Sequence, residues 1–170
     1  MDVDQAIRKR RTHKQFGAVP LDDATLAELL DLARFAPNHH LTQPWRFRVL
    51  GSETRASLEA AVDAKEAVKL RRAPTLVVVT AVLGGDPQTD AEDLHATACA
   101  VYAILLGATA RGLASYWRTP AALDTAPVRA LLGLAAAERV VSLVHLGPAV
   151  SDPPLKEGRM RLAEVVTALP

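Results

Sequence analysis

The amino-acid sequence predicts a layered domain, α/β or α+β, with one central sheet. Segments with strand character alternate with segments of helical periodicity along the 170 residues, which is the order of a domain whose helices cover a single sheet. Residues 76–83 are apolar without alternation, as in a central strand that is covered on both faces. The chain length is typical of one domain with its own core.

The first half of the chain is predicted to contain three helices and one strand. Apolar residues recur at helical spacing near the N-terminus and again behind Asp22 or Asp23, which predicts two helices, the second ending before Pro37. Apolar and basic residues alternate over 44–51, so this segment is predicted to be a half-buried strand. Helical periodicity returns over 54–72.

The second half follows the same alternation. Residues 90–112 form the longest helical pattern and are nearly apolar all round after residue 96, which is typical of a helix buried in a core or a subunit interface. A short strand is predicted over 115–119, a helix from Asp124 to about residue 133, and a last strand over 139–146 that ends at Gly147-Pro148. The tail opens with a Pro-rich linker, so we expect it to leave the compact body.

The composition excludes several classes of protein. A content of 49% hydrophobic and 23% charged residues is an average globular mixture, unlike a disordered tail or a collagen-like repeat. The net charge of +1 provides no global field for nucleic acid. A single cysteine, Cys99, cannot form an internal disulfide. We therefore expect a cytoplasmic protein that binds neither nucleic acid nor a membrane.

Common catalytic fingerprints are missing from the sequence. It has no phosphate-binding G-x-x-x-x-G-K-[ST], no G-x-S-x-G and no H-E-x-x-H, and no G-x-G-x-x-G follows a predicted strand. His39 and His40 are adjacent and lack a third ligand, so no metal site is predicted. Cys99 lies within the apolar helix and is predicted to be a small core residue rather than a nucleophile.

Three segments nevertheless have the composition of a binding site. Residues 8–14 hold five of the twenty basic residues; guanidinium groups beside a threonine hydroxyl could bind a phosphate, although a solvated surface explains them equally well. Residues 36–47 form a polar loop between two prolines that leads into a strand, which would position side-chain donors rigidly. Residues 112–119 place one of two tryptophans directly after the apolar helix.

Taken together, these segments resemble the nitroreductase family, flavoenzymes that use FMN and NAD(P)H. Arg10-Arg11-Thr12 matches the family's opening motif. The loop, which ends in Gln43-Pro44-Trp45, matches the family's next motif in order and spacing. Later matches are a Gly-Leu pair before a tryptophan, a strand ending in Leu-Gly-Pro and the stretch 159–166. The short length, His39 and Trp117-Arg118-Thr119 are most similar to a small, minimal subgroup. Phe35, Asn38 and Leu41 depart from the family pattern.

The resemblance implies an α+β fold with a central mixed sheet flanked by helices, in an intertwined homodimer. Residues 1–150 would form the FMN-binding domain, and the tail 151–170 would pack on the partner subunit. The FMN-binding residues implied are Arg10, Arg11, Thr12, His39 (from the partner subunit), Trp117, Arg118, Thr119 and Arg159. Lys14 is a further candidate for the phosphate, and Gly107–Gly112 for the nicotinamide. Neither a catalytic side chain nor a metal is implied.

The implied activity is transfer of hydride from NAD(P)H through bound FMN to nitroaromatic or quinone-like acceptors, in a ping-pong order. In such enzymes the flavin carries the hydride and the protein supplies binding and orientation. Two alternatives stay open. One is an FMN-binding protein of the same fold with a specialised or flavin-consuming role. The other is a non-enzymatic interaction domain that uses its basic N-terminal patch.

Overall fold

The chain forms seven α-helices and four β-strands in the computed structural model, which describes residues 1–154 and 158–169. In chain order these are α1 (Val3–Lys9), α2 (Asp23–Ala33), β1 (Trp45–Val49), α3 (Ser52–Ala61), α4 (Ala64–Leu70), β2 (Thr75–Val82), α5 (Pro87–Ala110), β3 (Leu113–Arg118), α6 (Ala126–Leu131), β4 (Glu138–Pro148) and α7 (Leu162–Val165). Short 3₁₀ turns occur at His39–Leu41 and Ala121–Asp124.

The strands make one sheet in the order β1-β2-β4-β3, and every described pair is antiparallel. The α+β class is confirmed, but within this chain the sheet is antiparallel where a mixed sheet was expected. The connections explain the difference. The helices α3 and α4 together return the chain, so that β2 runs opposite to β1. Strands β2 and β3 run in the same direction, but β4 lies between them and pairs with both.

The core lies on both faces of the sheet, as predicted for the apolar segment that forms β2. Val77 and Val79 pack on one face with residues of α2 and α5, whereas Leu76 and Val78 pack on the other with residues of α3, α4 and α6. All four side chains are essentially inaccessible to solvent. Burial on both faces requires a strand without polar alternation, and the sequence has that pattern.

Several helix starts follow directly from local sequence. The carboxylate of Asp22 accepts from the backbone N–H of Thr25 at 2.8 Å and caps α2, as predicted. Asp63 caps α4 in the same way through the N–H of Glu66. Because of this second cap, and because the backbone of Val62 is extended, the predicted helix 54–72 is in fact two helices.

Two other boundaries differ from the prediction. Strand β4 does not end before Gly147 and Pro148, because these residues pair with Ala114 and Leu113 at the end of β3. Asp124 does not open α6; it closes the 3₁₀ turn, and α6 begins at Ala126.

The long helix α5 is buried on one side only. Residues such as Ala100 and Ile104 are inaccessible to solvent, whereas His95, Cys99 and Tyr102 form an exposed stripe at helical spacing. The prediction that Cys99 is a core residue is therefore wrong for the single chain. By length and composition α5 could cross a membrane, but half of its most apolar stretch is buried inside the molecule, a property it shares with core helices of globular proteins.

Candidate anion-binding site

A cavity of about 460 Å³ lies beside the segment that follows α1. We call it the basic pocket; its walls are residues 10–15, residues 151–154 and Arg159. The structure thus brings together the sequence-predicted residues Arg10, Arg11, Thr12, Lys14 and Arg159. They come from the two ends of the chain, and the sequence alone does not show that these ends meet.

The segment that carries the basic residues is fixed at both of its ends. At the α1 end, Nη1 of Arg11 donates to the carbonyl oxygens of Arg8 at 2.6 Å and Arg10 at 2.9 Å. Farther along, the backbone N–H of His13 donates to the Ser115 carbonyl at 3.0 Å, and that of Gly17 donates to the Pro148 carbonyl at 2.8 Å. The segment is therefore held along the edge of β3 and at the end of β4.

The charges of the basic pocket are mostly uncompensated. Among the described residues, Arg10, Lys14 and Arg159 take part in no salt bridge. Asp152 is the one acidic residue on the described part of the wall. Unpaired guanidinium and ammonium groups that converge on one cavity fit a phosphate, since charge-assisted hydrogen bonds to its oxygens are strong and directional.

A second cavity of about 350 Å³ adjoins the basic pocket, and we call it the side cavity. The two share Arg11, His13, Asp152 and Pro153 as walls. Thr109 and Gly112 also line the side cavity, so part of the segment Gly107–Gly112 lies next to the basic pocket.

Gly107 itself has a packing role between helices. An added Cβ would lie 2.6 Å from Cδ1 of Leu32 and 3.0 Å from Cδ2 of Leu29, so the glycine permits the close approach of α5 to α2. Its side of α5 faces the core rather than the side cavity.

Strand β3 separates the predicted set Trp117, Arg118 and Thr119. Trp117 packs against the core cluster of α2 and α5, and its indole N–H donates to Oγ1 of Thr119 at 3.3 Å. Arg118 points to the other face, where it pairs with Glu66 of α4. None of the three lines the basic pocket of the described chain, and their contact with flavin stays a prediction.

Arg118 and Glu66 form a nearly buried ion pair with one hydrogen bond and one further short contact. Nη1 of Arg118 lies 2.6 Å from Oε1 of Glu66, and Nη2 donates to Oε2 at 2.8 Å. The guanidinium holds the pKa of Glu66 below its ordinary value, against the opposing effect of burial. Sequence reasoning missed Glu66, because its partner lies 52 positions away in a different kind of element.

His39 lies in the loop between α2 and β1, apart from the basic pocket. Its Nδ1 is 2.7 Å from Oε2 of Glu92 on α5, and its neighbour Thr42 donates to Oδ1 of Asp93 at 2.6 Å. Among the described residues no group of side chains could hold a metal ion. A contact between His39 and the pocket would have to be made across a subunit interface, and it stays a prediction.

The same loop has an unusual backbone. His40, Leu41 and Gln43 have positive φ angles of 51°, 53° and 47°. Such conformations cost free energy for residues other than glycine and are kept where surrounding contacts enforce them. Here the enforcing contacts include Asn38, whose side chain accepts from the N–H of Gln43 and donates to the carbonyl of Ala36. These two hydrogen bonds of Asn38 tie the start of the loop to Gln43 near its end.

Together, the antiparallel sheet between two helical layers and the cationic cavity at its edge define an α+β protein with a candidate phosphate-binding site. The chain belongs to the nitroreductase family, whose model matches residues 7–69 and 61–148. This agrees with the family resemblance of the sequence motifs, and the match covers the segment 10–15 and the loop before β1.

Individual relatives support this assignment over most of the chain. YfhC of Bacillus subtilis (strain 168), a candidate NAD(P)H nitroreductase, is 28% identical over 167 residues, which cover 89% of this chain and 86% of YfhC. YdjA of Escherichia coli (strain K12), named in the same way, is 27% identical over 161 residues, covering 86% of this chain and 88% of YdjA.

Among solved structures, the fold is similar to that of the FMN- and NADPH-dependent nitroreductase NfnB from Sphigopyxis sp. strain HMH. The TM-score is 0.84 with 18% identity, and the match covers 100% of both chains. At this identity the likeness shows the fold alone.

Proposed function

We propose that this protein is an FMN-dependent oxidoreductase that passes hydride from NAD(P)H through bound FMN to a small-molecule acceptor. The observation that carries the proposal is the convergence of Arg10, Lys14 and Arg159 on one cavity, where none of the three takes part in a salt bridge with another described residue. Such a cavity fits the phosphate end of a mononucleotide. NfnB is an FMN- and NADPH-dependent nitroreductase and YfhC is a candidate NAD(P)H nitroreductase, and both similarities support the same cofactor and reductant.

In the proposed complex, Arg10, Thr12, Lys14 and Arg159 bind the phosphate and ribityl end of FMN, with Arg11 beside them. Bound FMN supplies the hydride chemistry, as flavins do in oxidoreductases. The residues of this chain bind and orient the cofactor, and none acts as a nucleophile. Trp117 and Thr119 border the flavin.

The acceptors we propose are nitroaromatic or quinone-like compounds, reduced in a ping-pong order. The sequence has no separate fingerprint for a dinucleotide, so reductant and acceptor would use one site in turn. The side cavity next to the basic pocket, lined by Thr109 and Gly112, is where we place part of the reductant.

We further propose that the enzyme works as a homodimer in the cytoplasm. The stripe of His95, Cys99 and Tyr102 leaves one face of the apolar helix α5 exposed. The described part of the tail exposes apolar side chains as well, with Leu162 at 75% and Leu169 at 85%. Exposed apolar area of this kind is typical of subunit interfaces. Residues 155–157 and 170 of the tail lie outside the described residues.

The test begins with the purified protein. We expect a flavin absorbance spectrum, about one FMN per chain released on denaturation and identified by chromatography, and reduction of the flavin by NADH or NADPH. Release of FAD instead of FMN would contradict the proposal. So would an apoprotein that stays colourless after FMN is added and unbound FMN is removed. NAD(P)H could also reduce the bound flavin while no nitroaromatic or quinone reoxidises it. That result would exclude the proposed acceptors and would favour the specialised or flavin-consuming role.

A further inference from the structure

His13 occupies a distinctive position between the two cavities. It lines both the basic pocket and the side cavity, although the residue is only 7% exposed. Its backbone N–H donates to the Ser115 carbonyl at 3.0 Å, and the backbone N–H of Ser115 donates back to Nδ1 of the imidazole at 3.3 Å. The ring therefore takes the place of a main-chain acceptor at the edge of β3.

This hydrogen bond fixes the tautomer of the ring. A nitrogen that accepts from an N–H group carries no proton, so the neutral imidazole must carry its hydrogen on Nε2. Among the described residues Nε2 makes no hydrogen bond, so its hydrogen is available to a ligand. Because His13 lines both cavities, they are the spaces among the described residues from which a ligand could reach Nε2.

We propose that His13 is a binding residue whose Nε2–H donates to a phosphate oxygen of a nucleotide bound in these cavities. The inference rests on the proposed function and adds a residue to its site. The neighbouring cations favour a phosphate as the acceptor, with Arg10 and Lys14 in the basic pocket and Lys9 in the side cavity. Two sources of this group are available to such an enzyme, namely FMN and the pyrophosphate of NAD(P)H.

The surroundings of His13 include one competing acceptor. Asp152 lines both cavities as well, and its carboxylate makes no described hydrogen bond to His13. The cationic side chains on these walls draw a phosphate to the cavities, whereas His13 offers a neutral donor with a fixed direction. It would therefore contribute more to orientation than to long-range attraction.

Two substitutions of His13 distinguish the role of Nδ1 from the role of Nε2. In His13→Asn the amide oxygen can still accept from the N–H of Ser115, but no group remains at the position of Nε2. In His13→Gln an amide nitrogen can reach the position of Nε2. We expect His13→Asn to keep the melting temperature of the wild type and to lose about 10- to 100-fold in affinity for the nucleotide, the range for a hydrogen bond to a charged group. His13→Gln should recover part of this loss.

Three measurements on each variant identify the source of the phosphate: the affinity for FMN, the affinity for riboflavin and the KM for NAD(P)H. A loss for FMN but not for riboflavin, which lacks the phosphate, assigns the hydrogen bond to FMN. A rise in KM for NAD(P)H with unchanged FMN affinity assigns it to the reductant. His13→Asn with wild-type values for both ligands and for the melting temperature would overturn the inference and leave His13 a structural residue.

A second measurement covers the case in which His13→Asn does not fold. In wild-type protein with ¹⁵N-labelled histidine, the Nε2 resonance of His13 should show a bonded proton. This resonance should shift when FMN or NADP⁺, whichever nucleotide provides the phosphate, is added to the apoprotein. Absence of that shift with FMN and with NADP⁺ would also overturn the inference. Failure of the proposed function is distinguishable, because then the wild type itself would bind no FMN.

Discussion

The guanidinium of Arg118 and the carboxylate of Glu66 form an ion pair between β3 and α4, with 2.6 Å between Nη1 and Oε1 and a hydrogen bond from Nη2 to Oε2. Only 9% of the arginine side chain and 11% of the glutamate side chain are exposed. Lys69 adds a third charge, with Nζ 3.3 Å from Oε2 of Glu66. The pair lies on the face of the sheet opposite to Trp117, so two neighbours in the chain serve different layers of the fold.

A first prediction concerns this pair. Glu66→Gln leaves the charge of Arg118 buried without a counter-charge and should lower the free energy of unfolding by about 3–5 kcal/mol in urea denaturation. The double variant Glu66→Leu, Arg118→Met replaces both charges with apolar groups and should be much closer to the wild type.

The double variant also decides the role of Arg118. If it folds and binds FMN with wild-type affinity, Arg118 is a structural residue. If it folds but has lost FMN, the contact implied by the family resemblance is present despite the ion pair.

The pH dependence of stability gives a second prediction. Arg48 donates two hydrogen bonds to Glu138 and lowers the pKa of that carboxyl to about 2. The folded-state pKa lies below the unfolded value, so this stabilisation is complete above about pH 4.5 and is lost as the pH falls toward 2. Arg48→Met should lower stability at neutral pH and should flatten the pH dependence between those limits, as measured by urea denaturation at several pH values.

His145 provides an internal control for that experiment. Burial lowers the pKa of its imidazole from 6.5 to about 4, so folding stability is also lost as the pH falls from about 6.5 toward 4. Arg48→Met should leave this part of the profile unchanged. A wild-type profile that is flat below pH 4.5 would contradict the assignment to Glu138.

A third prediction separates the two arginines of the basic pocket. Arg10→Ala removes a charge that lines the pocket and has no salt-bridge partner among the described residues, so it should weaken FMN binding about 10- to 100-fold at an unchanged melting temperature. Arg11→Ala should weaken binding less and should lower the melting temperature, because Nη1 of Arg11 is bonded to two carbonyls of the α1 end. Apoprotein titration and calorimetry measure both effects.

The matched control is Arg34→Ala, which removes an arginine that pairs with Asp31 on the exposed side of α2. It should change neither quantity. Equal effects of Arg10→Ala and Arg34→Ala on FMN binding would show that the basic segment is only a solvated surface.

The elements that could be predicted from the sequence are those set by local patterns. Asp22 and the apolar stripe behind it specify α2, and the unbroken apolar run specifies β2. The misplaced boundaries have causes outside any local window. Strand β4 continues through Gly147 and Pro148 because β3 offers pairing partners there, and Cys99 is exposed because α2 and the sheet cover only one side of α5.

The residues of the candidate site also differ in whether the sequence could predict them. Residues 10–14 could be predicted as one unit because they are consecutive, and the resemblance added Arg159 from the far end of the chain. The roles of His13 and Glu66 could not be predicted, because each depends on a partner in β3 that only the folded chain brings near.

The exposed stripe of α5 gives a fourth prediction. Tyr102→Asp places a charge at the proposed subunit interface and should convert the dimer into a monomer, with loss of bound FMN if residues of both subunits form the site. Light scattering at micromolar concentration measures the mass. Val68→Asp, on an exposed position of α4, is the matched control and should leave the dimer intact. A wild-type protein that is a folded, FMN-binding monomer would contradict the proposal.

The last prediction concerns turnover and Trp117. If reductant and acceptor use one site in turn, double-reciprocal plots at several acceptor concentrations should be parallel, and stopped-flow mixing should show each half-reaction separately.

Trp117 packs against the core and donates to Thr119, whose hydroxyl donates in turn to the carbonyl of Val141. Trp117→Phe keeps the aromatic ring but removes this donor. If Trp117 borders the flavin, the variant should retain FMN and change the rate of one or both half-reactions. A lower melting temperature with normal half-reactions would instead assign Trp117 to the core alone, and intersecting lines in the wild type would mean that both substrates are bound together, which one shared site does not allow.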